Sequence, residues 1–417
     1  MESLLSNDWL STIHVLGAAQ GIFLAFILAS KRRNWIANKI LAVAMLAFSL
    51  ELVTAVYHAR GYDDLYPHFI GATYPLPLLF APLLYLYAKT VSAGSQSFKK
   101  GNLFHFIPIV LVVLYLVPFY LQSGPQKLAL LKTPDQHPWT PELTAINHFK
   151  FVYSFVYLIL IIRLLKRHRE RVQNAFSSIE HINLAWLRNM TVGGVTLWSI
   201  ALIFYVLGLV KAGRGEGLDP IEGYDDYVAL GMAVFVYTIG YLGLRQPEIF
   251  EPRAHPYQPE MEMPPVSGTG GGFSSERALL SNEAYREKPR YAKSGMDPET
   301  AQTYLQRLID LMEQEKPYTN STLTLQDLAD ALSISAHNLS EIINTQLGQN
   351  FYDFVNSYRV REVQRRMADP HYAHFTLLAI GQEAGFNAKS SFNAVFKKHT
   401  KMTPSHYKKH LLQDAEA

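Results

Sequence analysis

Apolar residues dominate the chain from Trp9 to Leu244 in long runs separated by short polar connections; beyond Pro252 they thin out, then return at helical spacing. A helix needs roughly 20 apolar residues to cross a hydrocarbon core. On that measure the runs predict seven spans, at 10–30, 37–57, 69–90, 103–121, 148–166, 188–210 and 226–244. Pro75, Pro77 and Pro82 remove backbone donors from the third and predict a kink there. Between 251 and 296 the pattern vanishes. Pro252, Pro256, Pro259, Pro264 and Pro265 precede Gly268, Gly270, Gly271 and Gly272, which predicts a disordered tether averaging roughly 35 to 40 Å in span.

A different pattern starts at Asp297-Pro298-Glu299, an Asp cap with Pro at the first helical position and an acid in the first turn. Tyr304, Leu305, Leu308, Ile309, Leu311 and Met312 follow at helical spacing. Thr324 with Asp327 forms a capping-box pattern ahead of Leu325, Leu328 and Ala329, and Ser335 caps a helix containing Leu339, Ile342 and Ile343. Two short helices joined by a tight turn predict a helix-turn-helix over about 324–348. A longer helix over 351–368 then stops at Asp369-Pro370. The pattern recurs over about 376–400, where Thr376 caps one helix, Gly385 makes the turn and Asn387 caps the next; Thr403-Pro404 opens a final helix with Tyr407.

Charge orients the apolar half, because basic residues are retained on the cytoplasmic side. Connections after the first, third and fifth spans hold Lys31, Arg32, Arg33 and Lys39, then Lys89, Lys99 and Lys100, then Arg167, Arg169 and Arg171. Those after the second, fourth and sixth hold Arg60, then Lys127 and Lys132, then Lys211 and Arg214 against Glu216, Asp219, Glu222, Asp225 and Asp226. This predicts an outside amino terminus and a cytoplasmic carboxyl terminus. Glu2 and Asp8 stand where a signal peptide carries basic residues, so the first run is expected to remain as a span. The 417 residues are 49% hydrophobic and 18% charged overall, an average over two unlike halves. Cysteine is absent, which excludes disulfides, thiolate metal sites and a cysteine nucleophile. Glu51 is the clear acid within an apolar run and is the candidate for sensing a ligand or a pH change, against a structural hydrogen bond. His14, His58, His68 and His148 fall near the outer ends of spans. No span offers a relay of acids and histidines along one face, so no catalytic residue and no cofactor is expected. His399, His406 and His410 lack neighbouring acids, so no metal site is expected either.

The carboxyl-terminal residues resemble a known family. Leu328-Ala329, Leu332-Ser333-Ile334-Ser335, Leu339-Ser340, Leu347-Gly348, Phe351, Phe354 and Tyr358-Arg359 resemble the first unit of AraC-type transcription regulators. Gly385-Phe386, Ser391-Phe392, Phe396-Lys397-Lys398, Thr403-Pro404 and Tyr407-Lys408 resemble the signature of the second. Lys401 stands where that family often has Gly, and Lys408 where it often has Arg. The resemblance implies two recognition helices entering successive major-groove segments, with base-reading positions at His337, Asn338, Ser340 and Glu341 and at Lys389, Ser390, Ser391 and Ala394. Six Lys and no acid lie between Gly385 and His410, and Lys397, Lys398, Lys401, Lys408 and Lys409 are the phosphate candidates. Phe392 and Phe396 read as core.

The sequence therefore predicts an all-α chain with a seven-helix transmembrane domain over 1–250, a Pro/Gly-rich linker over 251–296 and a cytoplasmic AraC-like domain over 297–417. Its expected partners are double-stranded DNA, the inner-membrane bilayer and the transcription machinery, with a small-molecule ligand and a homodimer left open. The expected function is a bacterial, membrane-bound transcription regulator and not an enzyme. The alternatives are a transporter or enzyme with a DNA-binding tail, and a regulator released from its anchor by proteolysis.

Overall fold

The computed structural model describes residues 8–32, 34–93, 98–132, 141–179, 184–213, 224–245 and 297–416. The expected linker over 251–296 lies outside the described residues. The chain divides into two compact units, one of Met1–Arg167 with Leu184–Glu260 and one of His168–Asn183 with Met261–Ala417. No strand occurs among the described residues, and the fold class is all-α.

The first unit is built from α1 (Asp8–Ser30), α2 (Trp35–Ala59), α3 (Pro77–Ala93), α4 (Ile107–Tyr120), α5 (Pro141–Ala175), α6 (Ala185–Gly213) and α7 (Tyr224–Arg245). The last stretch of α5, from His168, belongs to the second unit. The core gathers Met45, Phe48 and Leu52 of α2, Tyr87 of α3, Leu187 and Met190 of α6, and Ala233 and Val236 of α7. Close approach of α1 depends on glycine: a Cβ on Gly17 would lie 2.8 Å from the Ala233 Cβ, and one on Gly21 would overlap the Ser49 hydroxyl. Large apolar side chains also cover outward faces, including Phe26, Leu111, Leu114, Val192 and Ile203.

The expected count of seven spans is not met. Among the described residues five helices are long and apolar enough to cross a membrane: Trp9–Ser30, Trp35–Ala59, Lys100–Tyr120, Pro141–Ala175 and Trp186–Lys211. The expected third span begins late because Pro75 and Pro77 cannot donate within a helix. The chain there runs through a 3-10 turn at Pro67–Phe69 and further turns before α3 starts with Pro77 in its first turn. Pro82 stays inside α3 and is buried. The seventh contributes a shorter apolar helix, Asp226–Leu242.

The second unit contains α8 (Pro298–Gln314), α9 (Leu325–Ala331), α10 (Ala336–Gln346), α11 (Phe351–Ala368), α12 (Leu377–Glu383), α13 (Lys389–Thr400) and α14 (Pro404–Glu416). Four of the predicted caps form. Asp297 accepts from Thr300 N, Thr324 and Asp327 make a reciprocal capping box, Ser335 accepts from Asn338 N and Thr376 from Ala379 N. Two apolar cores result. Leu308, Met312, Leu328, Leu339 and Ile343 form the first; Ile380, Phe386, Phe392, Val395 and Phe396 form the second. α11 serves both, giving Phe351, Phe354, Val355 and Tyr358 to the first and Val360, Val363 and Met367 to the second. It is the beam on which both helix pairs sit.

Candidate nucleic-acid interface

Each helix pair turns through a left-handed residue, Ser333 at φ 58° in the first and Gly385 at φ 100° in the second. Gly385 is required by space as well as conformation. A Cβ there would collide with the Tyr318 carbonyl and lie 2.8 Å from Arg359 Nε. The turns set α10 and α13 as the second helices of their pairs, the positions from which helix-turn-helix proteins read bases.

On α10, His337 is exposed and Asn338, Ser340 and Glu341 are half-buried. Asn344, one turn along, donates to the Ser340 carbonyl at 2.7 Å and to its hydroxyl at 3.2 Å. The sequence reading passed over Asn344, although its i+4 spacing from Ser340 was the available signal. On α13, Lys389, Ser390 and Ala394 are exposed, while the half-buried Ser391 donates its hydroxyl to the Ala388 carbonyl at 2.9 Å. Phe392 and Phe396 are buried.

The lysines divide into two kinds. Lys397, Lys401 and Lys409 are exposed and Lys408 is half-buried. Lys398 is engaged within the protein, its ammonium 2.6 Å from Asp353 Oδ1 in the first turn of α11. That pair ties α13 to the bridging helix, which sequence spacing alone does not reveal. Lys401 closes α13 in the left-handed conformation at φ 63°, where glycine is usual and a lysine carries strain. Partial burial and the neighbouring Lys398 charge hold the His399 pKa below its ordinary value. His406 and His410 meet edge to face with ring centroids 4.6 Å apart, and no group of three or more potential metal ligands occurs among the described residues.

One predicted cap takes another role. Ala388 occupies the cap position of α13 without a side-chain bond, and Asn387 turns away to donate to the Ser178 hydroxyl at 3.0 Å and the Ser321 carbonyl at 3.3 Å. The backbone extends into the helix one residue later than the sequence implied, which frees the Asn387 amide for this contact.

A family model described as a helix-turn-helix domain matches residues 328–410, from α9 into α14. This region is an AraC-type helix-turn-helix domain. The match takes in α10, α13 and the whole of the bridging helix, so the AraC-type domain is the part of the chain that carries DNA-binding chemistry. A solved structure of a Listeria innocua protein of unknown function is 25% identical over 25% of this chain and 94% of that chain, with a TM-score of 0.23. No curated protein matches the chain.

Glu51 lies in the first unit, within α2. Its charge is near enough to act on Lys150 of α5. Lys150 Nζ donates to Asn147 Oδ1 at 3.2 Å and sits 3.2 Å over the centroid of Tyr74, whose hydroxyl donates to the same Asn147 oxygen at 3.0 Å. The sequence reading singled out the acid but missed this lysine, which lies two residues inside the predicted fifth span. A positive charge flanked by Phe149 and Phe151 was its signal.

Proposed function

We propose that the chain is a membrane-anchored, sequence-specific DNA-binding transcription regulator that couples a signal received in its apolar unit to gene expression. The AraC-type domain, with two recognition helices carried on one bridging helix, is the observation that carries this reading. A bipartite DNA reader needs that arrangement, with each helix presenting polar side chains and, around α13, exposed lysines. Membrane anchoring is supported by the five long apolar helices and by the apolar side chains on their outward faces, which water would not tolerate in such number. The polar cluster of Glu51, Lys150, Asn147 and Tyr74 supports reception of the signal there, since charged groups among apolar helices are costly and mark functional sites.

The test uses the full chain in nanodiscs. Genomic fragments bound by it are selected, and the recovered site is titrated against scrambled duplexes over a salt series. A preference of at least about 1000-fold at physiological salt, within the range for specific readers, is expected. Equal affinity for selected and scrambled DNA would leave only phosphate attraction and overturn the reading. For signal reception, Glu51→Gln is expected to abolish the response of target genes to an inducing condition while leaving DNA affinity unchanged. Normal induction in that variant would reduce the cluster to a structural role.

A further inference from the structure

Arg359 is a buried arginine at the centre of α11, with 1% of its surface exposed. A guanidinium has five N–H donors, and each of these has an acceptor. Nε donates to the Tyr318 carbonyl at 2.7 Å, and Nη2 to the Asn320 carbonyl at 2.9 Å. The longest bond, from Nη1 to Asn356 Oδ1, is 3.4 Å. The remaining two end on one residue from far away in sequence: Nη1 donates to the Ser177 carbonyl and Nη2 to the Ser177 hydroxyl, both at 3.0 Å. Ser177 is itself buried and fully used. Its hydroxyl and its amide both donate to the Leu323 carbonyl, at 2.6 and 3.2 Å, and its carbonyl also accepts from Asn356 Nδ2 at 3.2 Å.

The residues on either side extend the contact. Phe176 pairs with Thr324, the cap of α9, as an isolated antiparallel bridge. Ser178 meets Asn387, two residues before α13. Three consecutive residues thus reach the start of the first helix pair, the bridging helix and the turn of the second pair. A buried cation left short of acceptors is strongly destabilising, so this docking has consequences for the arginine at the centre of the bridging helix.

We infer that residues 176–178, which follow α5, are a docking strap: they seat in the seam between the two helix-turn-helix units and fix the relative placement of α10 and α13 for a bipartite DNA site. The functional half of this inference rests on the DNA-binding reading above; the docking half does not. A strap of this kind restricts the hinge between two half-site readers. Its loss leaves each reader intact and removes the advantage of binding both half-sites at once.

The chain has no cysteine, which makes the docking directly measurable. The full chain in nanodiscs carries Ser178→Cys and Asn387→Cys together with a site-specific protease sequence inserted at 270. Mild oxidation or a short bis-maleimide is expected to join the two fragments after cleavage on a denaturing gel, whereas either single cysteine leaves them apart. Failure of the pair to join would overturn the docking. For the DNA half, Ser177→Trp is expected to weaken binding to the full site by about tenfold, equivalent to ~1.4 kcal/mol, with affinity for an isolated half-site unchanged. Half-site binding reports that each reader remains folded. Ser177→Ala, which keeps the backbone bonds and loses only those of the hydroxyl, is expected to give about a threefold loss. The cross-linked double-cysteine chain is expected to keep the parent's full-site affinity. Parent-like binding by Ser177→Trp, or loss of binding on cross-linking, would overturn the positioning role. A chain that cross-links but shows no sequence preference in its parent form would overturn the regulator reading and the strap's part in it, with the docking left standing.

Discussion

At the scale of single residues, the second recognition unit is expected, under the proposed function, to keep base-reading positions apart from phosphate-contacting ones. Lys389 opens α13 and is exposed, placed as an ammonium suited to guanine O6 and N7 would be. Lys389→Ala is expected to cost about 1 to 3 kcal/mol on the selected site and to relax preference at one base pair, measured by titrating single-base variants. Lys397→Ala is expected to weaken all duplexes alike and to lower the salt slope by roughly one. Lys398→Ala serves as a contrast, since its ammonium is occupied by Asp353; it should loosen α13 on α11 more than it changes the salt slope. Lys401 carries two effects of opposite sign. Its φ of 63° makes Lys401→Gly a stabilising change of roughly 0.5 to 1 kcal/mol, visible as a higher denaturation midpoint. The same change removes a cation and should lower DNA affinity at low salt. A lower midpoint would show that the lysine makes contacts that outweigh the backbone strain.

At the scale of elements, α11 holds its neighbours through charge as well as through its two apolar faces. Glu362 accepts from Arg365 through Nε at 3.0 Å and Nη2 at 2.7 Å, and from Arg366 Nε at 2.7 Å; Arg366 passes on to Glu383 of α12 at 2.6 Å. The hydrogen bonds from Arg365 and Arg366 hold the Glu362 pKa down at about 2, against an ordinary value of 4.5. A depressed carboxylate contributes stability that is complete above its unfolded pKa and is lost as pH falls toward the folded one. Acidification from pH 4.5 to about 2 should therefore destabilise the parent more than Glu362→Gln, with circular dichroism melts of the purified chain as the measure. Equal losses in both would place the acid sensitivity elsewhere. The helices of this unit were legible in sequence because Asp297, Thr324, Ser335 and Thr376 are local signals, each acting within three residues of itself. Gly385 was legible for the same reason. The pairs Lys398 with Asp353 and Asn387 with Ser178 were not, because they join residues whose distance in space has no trace in periodicity. The third expected span failed through proline, where a count of apolar residues outran the supply of backbone donors.

At the scale of the whole molecule, the basic connections argue for an outside amino terminus, and the connection after α2 provides the place to test it. A reporter inserted at Gly61, between α2 and α3, is expected to be active only in forms that work outside the cytoplasm. Activity of a cytoplasmic reporter there would reverse the orientation and with it the access of the AraC-type domain to DNA. The strap at 176–178 also gives the chain an order of assembly. Ser177 leaves the ribosome long before Arg359, which lies 182 positions later in sequence. When the arginine is made, its acceptor already stands at the end of a long apolar helix. The guanidinium of the bridging helix thus closes onto a segment laid down beforehand, so a fragment expressed from 297 onward lacks two acceptors that the full chain supplies.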